Sequence, residues 1–364
     1  MLVWWWLIAR QGVGAHFVDV VLAGDAAVLP GLAVAASSLL DATSAPERVR
    51  LHVVTTRNDL DVVNEVLTCV VGDLDVRPFT PPHLKLGRAP ARLTAELNYA
   101  RLFLPDLLSV RKVVYLDADV IVEGDVTELH DTALVARRQA VAAVARPKPL
   151  RLAPSVKRNA AAKLKLAELG VNVTRGHGRL STTLQDFNAG VLVIDLKEWR
   201  SLNLTRSVLR WMRLNDGLDI YTKGSNPPLV LALKDDFERL DQRWNCPARP
   251  KSTPLNPRCY NPAIVHLTGE AKPWDHHDPR WAAKLTPKIE DCLSRARRQS
   301  STPPPPSGRR SFRLFLYFAF VLATVLFFAA RYSLPFSPPK LLSALDSALG
   351  TGDDDDDARY CYYY

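Results

Sequence analysis

The chain has no glycine-rich phosphate loop. Neither a Gly-x-Gly-x-x-Gly run nor a Walker-type loop occurs in its 364 residues. A nucleotide phosphate is therefore not cradled by the amides of such a loop, and a metal ion must do more of that work. Cysteine is sparse: Cys69, Cys246, Cys259, Cys292 and Cys361 show no zinc-finger spacing. Cys246 and Cys259 lie close enough in sequence to pair if the compartment is oxidising. Lys and Arg exceed Asp and Glu, for a net charge of +9, but much of the excess is local, so no nucleic-acid partner is expected. The N-terminal apolar run, residues 2–9, is too short to span a bilayer, and no positive charge precedes it. Residues 1–15 read as a weak signal peptide with Gly12-Val13-Gly14-Ala15 as its cleavage region; a trimmed gene model is the alternative.

What is present centres on residues 112–125, KVVYLDADVIVEGD. The run Val113-Val114-Tyr115-Leu116 reads as a strand buried on both faces, as in a parallel sheet. Asp117 and Asp119 follow where that strand ends. In an extended chain residues i and i+2 point the same way, so the two carboxylates converge into a seat for a hard divalent cation. An isolated Asp-x-Asp is usually a solvated turn, but here apolar runs bracket it, the second being Val120-Ile121-Val122.

Upstream, a strand over 16–21 runs into Leu22-Ala23-Gly24-Asp25, and an Ala/Leu-rich helix covers 26–40. A second strand (51–55) and a second helix (59–71) follow, and this alternation argues a parallel sheet with crossover helices. A nucleotide would sit at the carboxyl ends of the strands, near Ala23 and Asp25. Residues 96–104 read as helical; Arg101 on that stretch either reaches the strand end or is a surface arginine. Residues 137–179 are rich in Lys and Arg, reading as a solvated face or as a cradle for an acidic acceptor or membrane surface. Asp186-Phe187-Asn188-Ala189-Gly190 forms a small polar loop before the apolar strand 191–195; Gly190 allows close approach of a ligand or backbone. A helix starts at Asn226 with proline in its first turn. His266 ends the apolar strand Ala263-Ile264-Val265, Gly269 follows three residues on, and Lys272 three after that. Beside the two carboxylates, His266 completes a metal site and Lys272 neutralises phosphate oxygens.

The C-terminal part changes character. Residues 293–313 form a Pro/Arg/Ser-rich linker, expected to be extended and disordered from 295 onward. Residues 314–330, LFLYFAFVLATVLFFAA, carry no charge and as a helix reach about 26 Å, enough for a thin bilayer. A single transmembrane helix is placed at 314–331, followed by an acidic tail, 332–364. Orientation cues conflict. Arg295, Arg297, Arg298, Arg309, Arg310 and Arg313 before the span favour a cytosolic domain. The sequons Asn172-Val173-Thr174 and Asn203-Leu204-Thr205 favour a lumenal one.

The segments LNYARLFLPDLL, VVYLDADVIVEGD, DFNAGVLVIDLKEW, RWN and HLTGEAKPW occur in that order. Together they resemble glycosyltransferase family 8, the glycogenin and galacturonosyltransferase-like group, over roughly 16–280. The resemblance implies a GT-A fold: a mainly parallel, Rossmann-like α/β sheet flanked by helices, over residues 16–292. It further implies a UDP-sugar donor, Mn²⁺ with Mg²⁺ as the alternative, and transfer with retention to a glycan or other hydroxyl acceptor. It assigns Asp117, Asp119 and His266 as metal ligands, and Gly269 and Lys272 as diphosphate contacts. Ala23 and Asp25 fall where the uridine lies. Arg101 falls near the donor sugar and phosphates, and Asp186, Asn188 and Gly190 along the donor sugar. The Asp-Gln pair that some members carry on a later helix is absent; Gly224-Ser225-Asn226-Pro227-Pro228-Leu229 stands there, so no side-chain nucleophile is named. The expected setting is a single-pass Golgi or ER membrane protein with a lumenal catalytic domain. Two rival readings fit the sequence less well. A metal-dependent hydrolase usually has more ligands than occur here, and an intact ligand set argues against a membrane-anchored pseudoenzyme that binds UDP-sugar or glycan without turnover.

Overall fold

The computed structural model describes residues 16–80, 96–135, 139–176, 179–222, 224–248, 259–269, 271–276 and 278–301. The chain divides after Ser300, and the first unit is the one described below. The expected signal peptide (1–15), membrane span (314–331) and acidic tail (332–364) lie outside the described residues. Among the described residues no helix is long and apolar enough to cross a membrane.

An eight-stranded sheet carries the fold. Its strands are β1 (Val18–Ala23), β2 (Val49–Thr55), β3 (Asp75–Pro78), β4 (Lys112–Leu116), β6 (Val141–Arg151), β7 (Val173–Gly176), β8 (Arg179–Asp195) and β9 (Glu238–Arg239). The order is β3-β2-β1-β4-β8-β6-β9, with β7 pairing β8 off that path. From β3 to β4 every pairing is parallel. β8 then runs antiparallel to both β4 and β6. A second, three-stranded sheet joins β10 (Cys246–Ala248), β11 (Ile264–Leu267) and β5 (Val120–Val122).

The apolar runs became central strands because both faces of the large sheet are covered. On β1, Val20 and Leu22 enter one core while Val21 enters the other; on β4, Val114 and Leu116 part from Val113 and Tyr115 in the same way. The first face is packed by α1 (Leu29–Ala42) and α2 (Leu60–Val71), the opposite face by α3 (Leu204–Leu218) and α4 (Asn226–Leu233). α2 buries Val63, Val66, Leu67 and Val70, the i, i+3, i+4, i+7 stripe of a one-sided helix. Each such side chain taken fully out of water contributes roughly 1.5–3 kcal/mol.

Two expectations change here. Residues 96–104 form a 3-10 helix, Glu96–Leu102, and a separate short helix, Leu104–Leu107. The linker does not begin at 293. α5 (Pro287–Ser301) continues the domain, with Ile289, Cys292, Leu293 and Ala296 buried on one stripe. A Cys69–Cys292 disulfide and a Lys288 Nζ hydrogen bond to the Val70 carbonyl (2.8 Å) fasten α5 to α2. An apolar stripe with a covalent tie outweighs the arginines that suggested an extended segment. A second disulfide joins Cys246 and Cys259.

Candidate active site

The two sheets meet at Asp117-Ala118-Asp119. β4 belongs to the large sheet and β5 to the small one, and residues 118–119 form the turn between them. The carboxylates therefore converge through a turn, and not by the alternation of a continuing strand. Each sheet then supplies one wall. Antiparallel pairing sets β8 beside β4 so that the Asp117 amide donates to the Gly190 carbonyl at 2.8 Å. Pairing of β11 with β5 sets His266 opposite Val120, and the Leu267 amide donates to the Asp119 carbonyl at 2.8 Å.

His266 Nε2 consequently lies 3.1 Å from Asp119 Oδ1 and 3.9 Å from Asp117 Oδ2. One ligand atom from each of Asp117, Asp119 and His266 falls within 4.8 Å of the others. Lys272 Nζ reaches Asp119 Oδ2 at 2.7 Å. Burial raises the Asp119 pKa, but the adjoining His266 and Lys272 outweigh it and hold the carboxyl well below the usual carboxylate range. Gly190 is required by the geometry: a Cβ there would stand 2.0 Å from His266 Cε1 and 2.8 Å from Asp117 Oδ2. A cradle of two carboxylates and one imidazole that a single methyl group would fill fits a hard divalent cation.

The other expected residues divide by position. Arg101 is 5% exposed. Its Nη2 donates to Asp117 Oδ1 at 2.8 Å, Nε donates to the Asn98 carbonyl at 3.2 Å, and Nη1 bonds the Ala189 carbonyl. Its guanidinium also stacks 4.6 Å from the Tyr115 ring centroid, and Tyr115 OH donates to Asp117 Oδ1 at 3.1 Å. Arg101 is thus a buried clamp on the carboxylate, not a surface arginine. Ala23 ends β1 and Asp25 follows it, and Leu22 of that strand is in register with Leu116. Asp25 caps the next turn by accepting from the Ala27 amide at 3.1 Å. Asn188 Oδ1 accepts from the Gly190 amide at 3.0 Å. Asp186 is joined to other partners: Arg146 Nη1 at 3.1 Å, Asn226 Nδ2 at 2.9 Å and its neighbour's amide, Phe187 N, at 3.0 Å. Gly269 has φ +137°, in open space. Trp274, two residues beyond Lys272, packs against Gly31 of α1, where a Cβ would stand 2.2 Å from the indole. This contact anchors the Lys272 segment beneath the Asp-Ala-Asp turn.

Asn245 was not among the residues singled out. It is 1% exposed, its Oδ1 lies 2.9 Å from His266 Nδ1, and its Nδ2 donates to the Asn188 carbonyl at 3.2 Å. The only hint was its place in the RWN segment of the resemblance. A cavity of about 220 Å³ opens beside these residues, with Asn188, Asn245, Gln242, Thr268 and Arg146 in its wall.

The comparisons agree with this geometry. The family model for glycosyl transferase family 8 matches residues 19–278. Among curated proteins, "Probable galacturonosyltransferase-like 10" of Arabidopsis thaliana is 28% identical, covering 71% of this chain and 71% of its own. "Probable galacturonosyltransferase-like 7" from the same plant is 30% identical, covering 72% of each. Among solved structures, an active-site mutant of LgtC superposes with a TM-score of 0.51 at 23% identity, covering 80% of this chain and 99% of that one. The WbbM bifunctional glycosyltransferase gives 0.52 at 17%, covering 77% and 52%. At these identities the structures speak for the fold, a GT-A-like α/β glycosyltransferase domain. Taken with the family match over most of the described domain, they establish that this chain belongs to glycosyltransferase family 8.

Proposed function

We propose that the protein is a retaining, Mn²⁺-dependent glycosyltransferase. It moves a hexosyl or uronosyl unit from a UDP-sugar to a hydroxyl of a glycan or glycoconjugate. The observation that carries this reading is the convergence of Asp117, Asp119, His266 and Lys272 at the carboxyl ends of β1 and β4. Asp117, Asp119 and His266 hold the cation, Mn²⁺ or Mg²⁺. When bound, it supplies positive charge to a departing diphosphate.

The chain's own residues do the rest. Arg101 fixes the Asp117 carboxylate, and Asn245 fixes the His266 ring. Lys272 adds a second cation for the leaving group and Gly269 permits close approach of its oxygens. Ala23 and Asp25 border the uridine, while Asp186, Asn188 and Gly190 border the sugar. In the reaction the acceptor oxygen bonds to the anomeric carbon on the face that the diphosphate leaves. The bond from that carbon to the phosphate oxygen breaks, and the acceptor proton passes to that oxygen. No protein nucleophile is needed, in keeping with Gly224-Ser225-Asn226-Pro227-Pro228-Leu229 where some members of the family carry an Asp-Gln pair.

Two disulfides support an oxidising compartment for this domain. With an apolar span at 314–330, they favour a membrane-anchored enzyme of the Golgi or ER with its catalytic domain in the lumen.

The test is a donor screen on the full-length protein in detergent with Mn²⁺. UDP release is followed from UDP-glucose, UDP-galactose, UDP-galacturonate, UDP-xylose and UDP-glucuronate, with and without glycan acceptors. One preferred donor is expected, dependent on metal. Asp119→Ala should cost about 3 kcal/mol or more of transition-state stabilisation, roughly a hundredfold in rate. Undiminished turnover with EDTA or in that variant would overturn the reading.

A further inference from the structure

The cavity beside the metal cluster has one charged side chain in its described wall, Arg146 on β6. We infer that Arg146 recognises a sugar carboxylate, so that the ligand of this cavity is a uronate unit. The inference rests on the transferase reading above for the cavity's being a sugar site. The carboxylate itself is argued from the charges present.

Two other described cations at the cluster, Arg101 and Lys272, are already committed. Arg101 is buried, with Nε, Nη1 and Nη2 bonded to Asn98, Ala189 and Asp117 in turn. Lys272 pairs with Asp119 on the leaving-group side. Arg146 differs from both. Its side chain is 42% exposed, and its one hydrogen bond among the described residues runs from Nη1 to Asp186 Oδ2, at 3.1 Å. Nε and Nη2 keep their donors for a ligand.

Asp186 in turn cannot swing away. Asn226 Nδ2 and the Phe187 amide hold its Oδ1. One branch of the guanidinium is therefore pinned, and the planar fork is set before a ligand arrives. Such a fork matches the two oxygens of a carboxylate, and a neutral hydroxymethyl group offers no counterpart. The cavity is large enough for more than an ion or a water, and Asn188, Gln242, Asn245 and Thr268 offer it polar partners for hydroxyl groups. Beyond Arg146 the same strand carries exposed Lys148 and Arg151, which extend the positive edge away from the cluster. A uronate can arrive on the donor or on the acceptor, and the chemistry at Arg146 is the same for both.

Calorimetry on the full-length protein with Mn²⁺ separates the two sources. The donor arm compares UDP-galacturonate with UDP-galactose. The acceptor arm compares an oligogalacturonide with its fully methyl-esterified form. In wild type, one arm should show preference for the carboxylate form. Arg146→Gln should reduce that preference, as a ratio of dissociation constants, by at least about tenfold, and Arg146→Lys by less. The ratio cancels any loss common to both ligands, so a purely structural effect of the substitution would leave it unmoved. Loss in the donor arm assigns the carboxylate to the donor, and loss in the acceptor arm assigns it to the acceptor. Absence of preference in wild type, or an unchanged ratio in Arg146→Gln, overturns the inference. If no UDP-sugar binds, the transferase reading fails, while the oligogalacturonide arm still decides the role of Arg146.

Discussion

His266 Nδ1 lies 2.9 Å from Asn245 Oδ1, and that contact decides which side of the imidazole is left for a ligand. Asn245 Nδ2 is committed to the Asn188 carbonyl, so its oxygen must face the ring. Nδ1 therefore carries a proton and donates it, and Nε2 is the ring nitrogen turned towards Asp117 and Asp119. This is the usual arrangement behind a metal-binding histidine. Asn245→Leu removes the acceptor and frees the ring to rotate or change tautomer. Mn²⁺ affinity should fall roughly 10–100-fold, read by calorimetric titration of metal into the full-length protein. Unaltered affinity would show that Asn245 is structural only.

Gly190 yields a second prediction of the opposite kind, by filling and not by removing. The β8 backbone runs so close to the cluster that an added methyl would overlap His266 and press on Asp117. Gly190→Ala should destabilise the fold by about 1–3 kcal/mol through overpacking. It should also lower Mn²⁺ affinity at least about tenfold, because the carboxylate and imidazole must part. Thermal melts and metal titration on one sample separate the two effects. A variant that melts lower yet binds Mn²⁺ normally would mean that the cradle relaxes without losing its ligands.

These two residues also show where a sequence is informative. Asp117 follows one apolar run, Asp119 precedes the next and His266 follows a third, so local pattern alone set them at or beside strand ends. Asn245 had no such signal: its partners lie 21 and 57 residues away, and an isolated buried asparagine has no period. Only the 191–195 part of β8 was legible as a strand, and not its direction, because a run buried on both faces looks the same in parallel and antiparallel pairing. The α5 stripe at Ile289, Cys292, Leu293 and Ala296 was present in the sequence, and the neighbouring arginines drew attention from it. Residues 186–190 read as a loop but lie within β8, and the bonds of Asp186 to Arg146 and Asn226 depend on a β6–β8 register that bulges in three places.

A third prediction concerns pH. His52 sits between two carboxylates, Nε2 2.8 Å from Asp19 Oδ1 and Nδ1 3.0 Å from Asp75 Oδ2. Burial lowers its pKa, but the two carboxylates prevail and raise it above 6.5. Burial likewise raises Asp19 and Asp75, and their cations, His52 with Arg50 or Arg77, prevail and lower them. The His52 contribution to stability is thus complete below about pH 6.5 and is lost as pH rises through the raised folded value. The contribution from Asp19 and Asp75 is present above the ordinary carboxylate range and is lost as pH falls through the depressed values. The cluster lies at the start of β1, in register with Val113 and not with the site end of the strand, so stability should respond without Asp117, Asp119 or His266 being touched. Wild type should melt at a lower temperature at pH 8 than at pH 6. His52→Gln should melt lower than wild type at pH 6, by on the order of 3 kcal/mol, with a smaller difference at pH 8. Parallel pH profiles for the two proteins would refute the assignment.

The last prediction uses the two disulfides against each other. Cys69–Cys292 closes 223 residues and Cys246–Cys259 closes 13. If each acts by restricting the unfolded chain, the longer loop stabilises more: about 5 kcal/mol against about 3 kcal/mol on chain-entropy grounds. Cys292→Ser also frees α5, whose buried stripe completes the core over α2. Thermal melts of Cys292→Ser and Cys259→Ser, each beside wild type with and without reductant, should rank Cys292→Ser as the less stable. Reductant should lower wild type towards that variant. Because the Cys69–Cys292 tie lies on the α2–α5 side of the sheet and Cys246 follows Asn245 directly, the ranking for metal affinity should be the reverse. Cys259→Ser should weaken Mn²⁺ binding more than Cys292→Ser does. The same order in both measurements would mean that the losses are global and that the short loop has no special hold on Asn245.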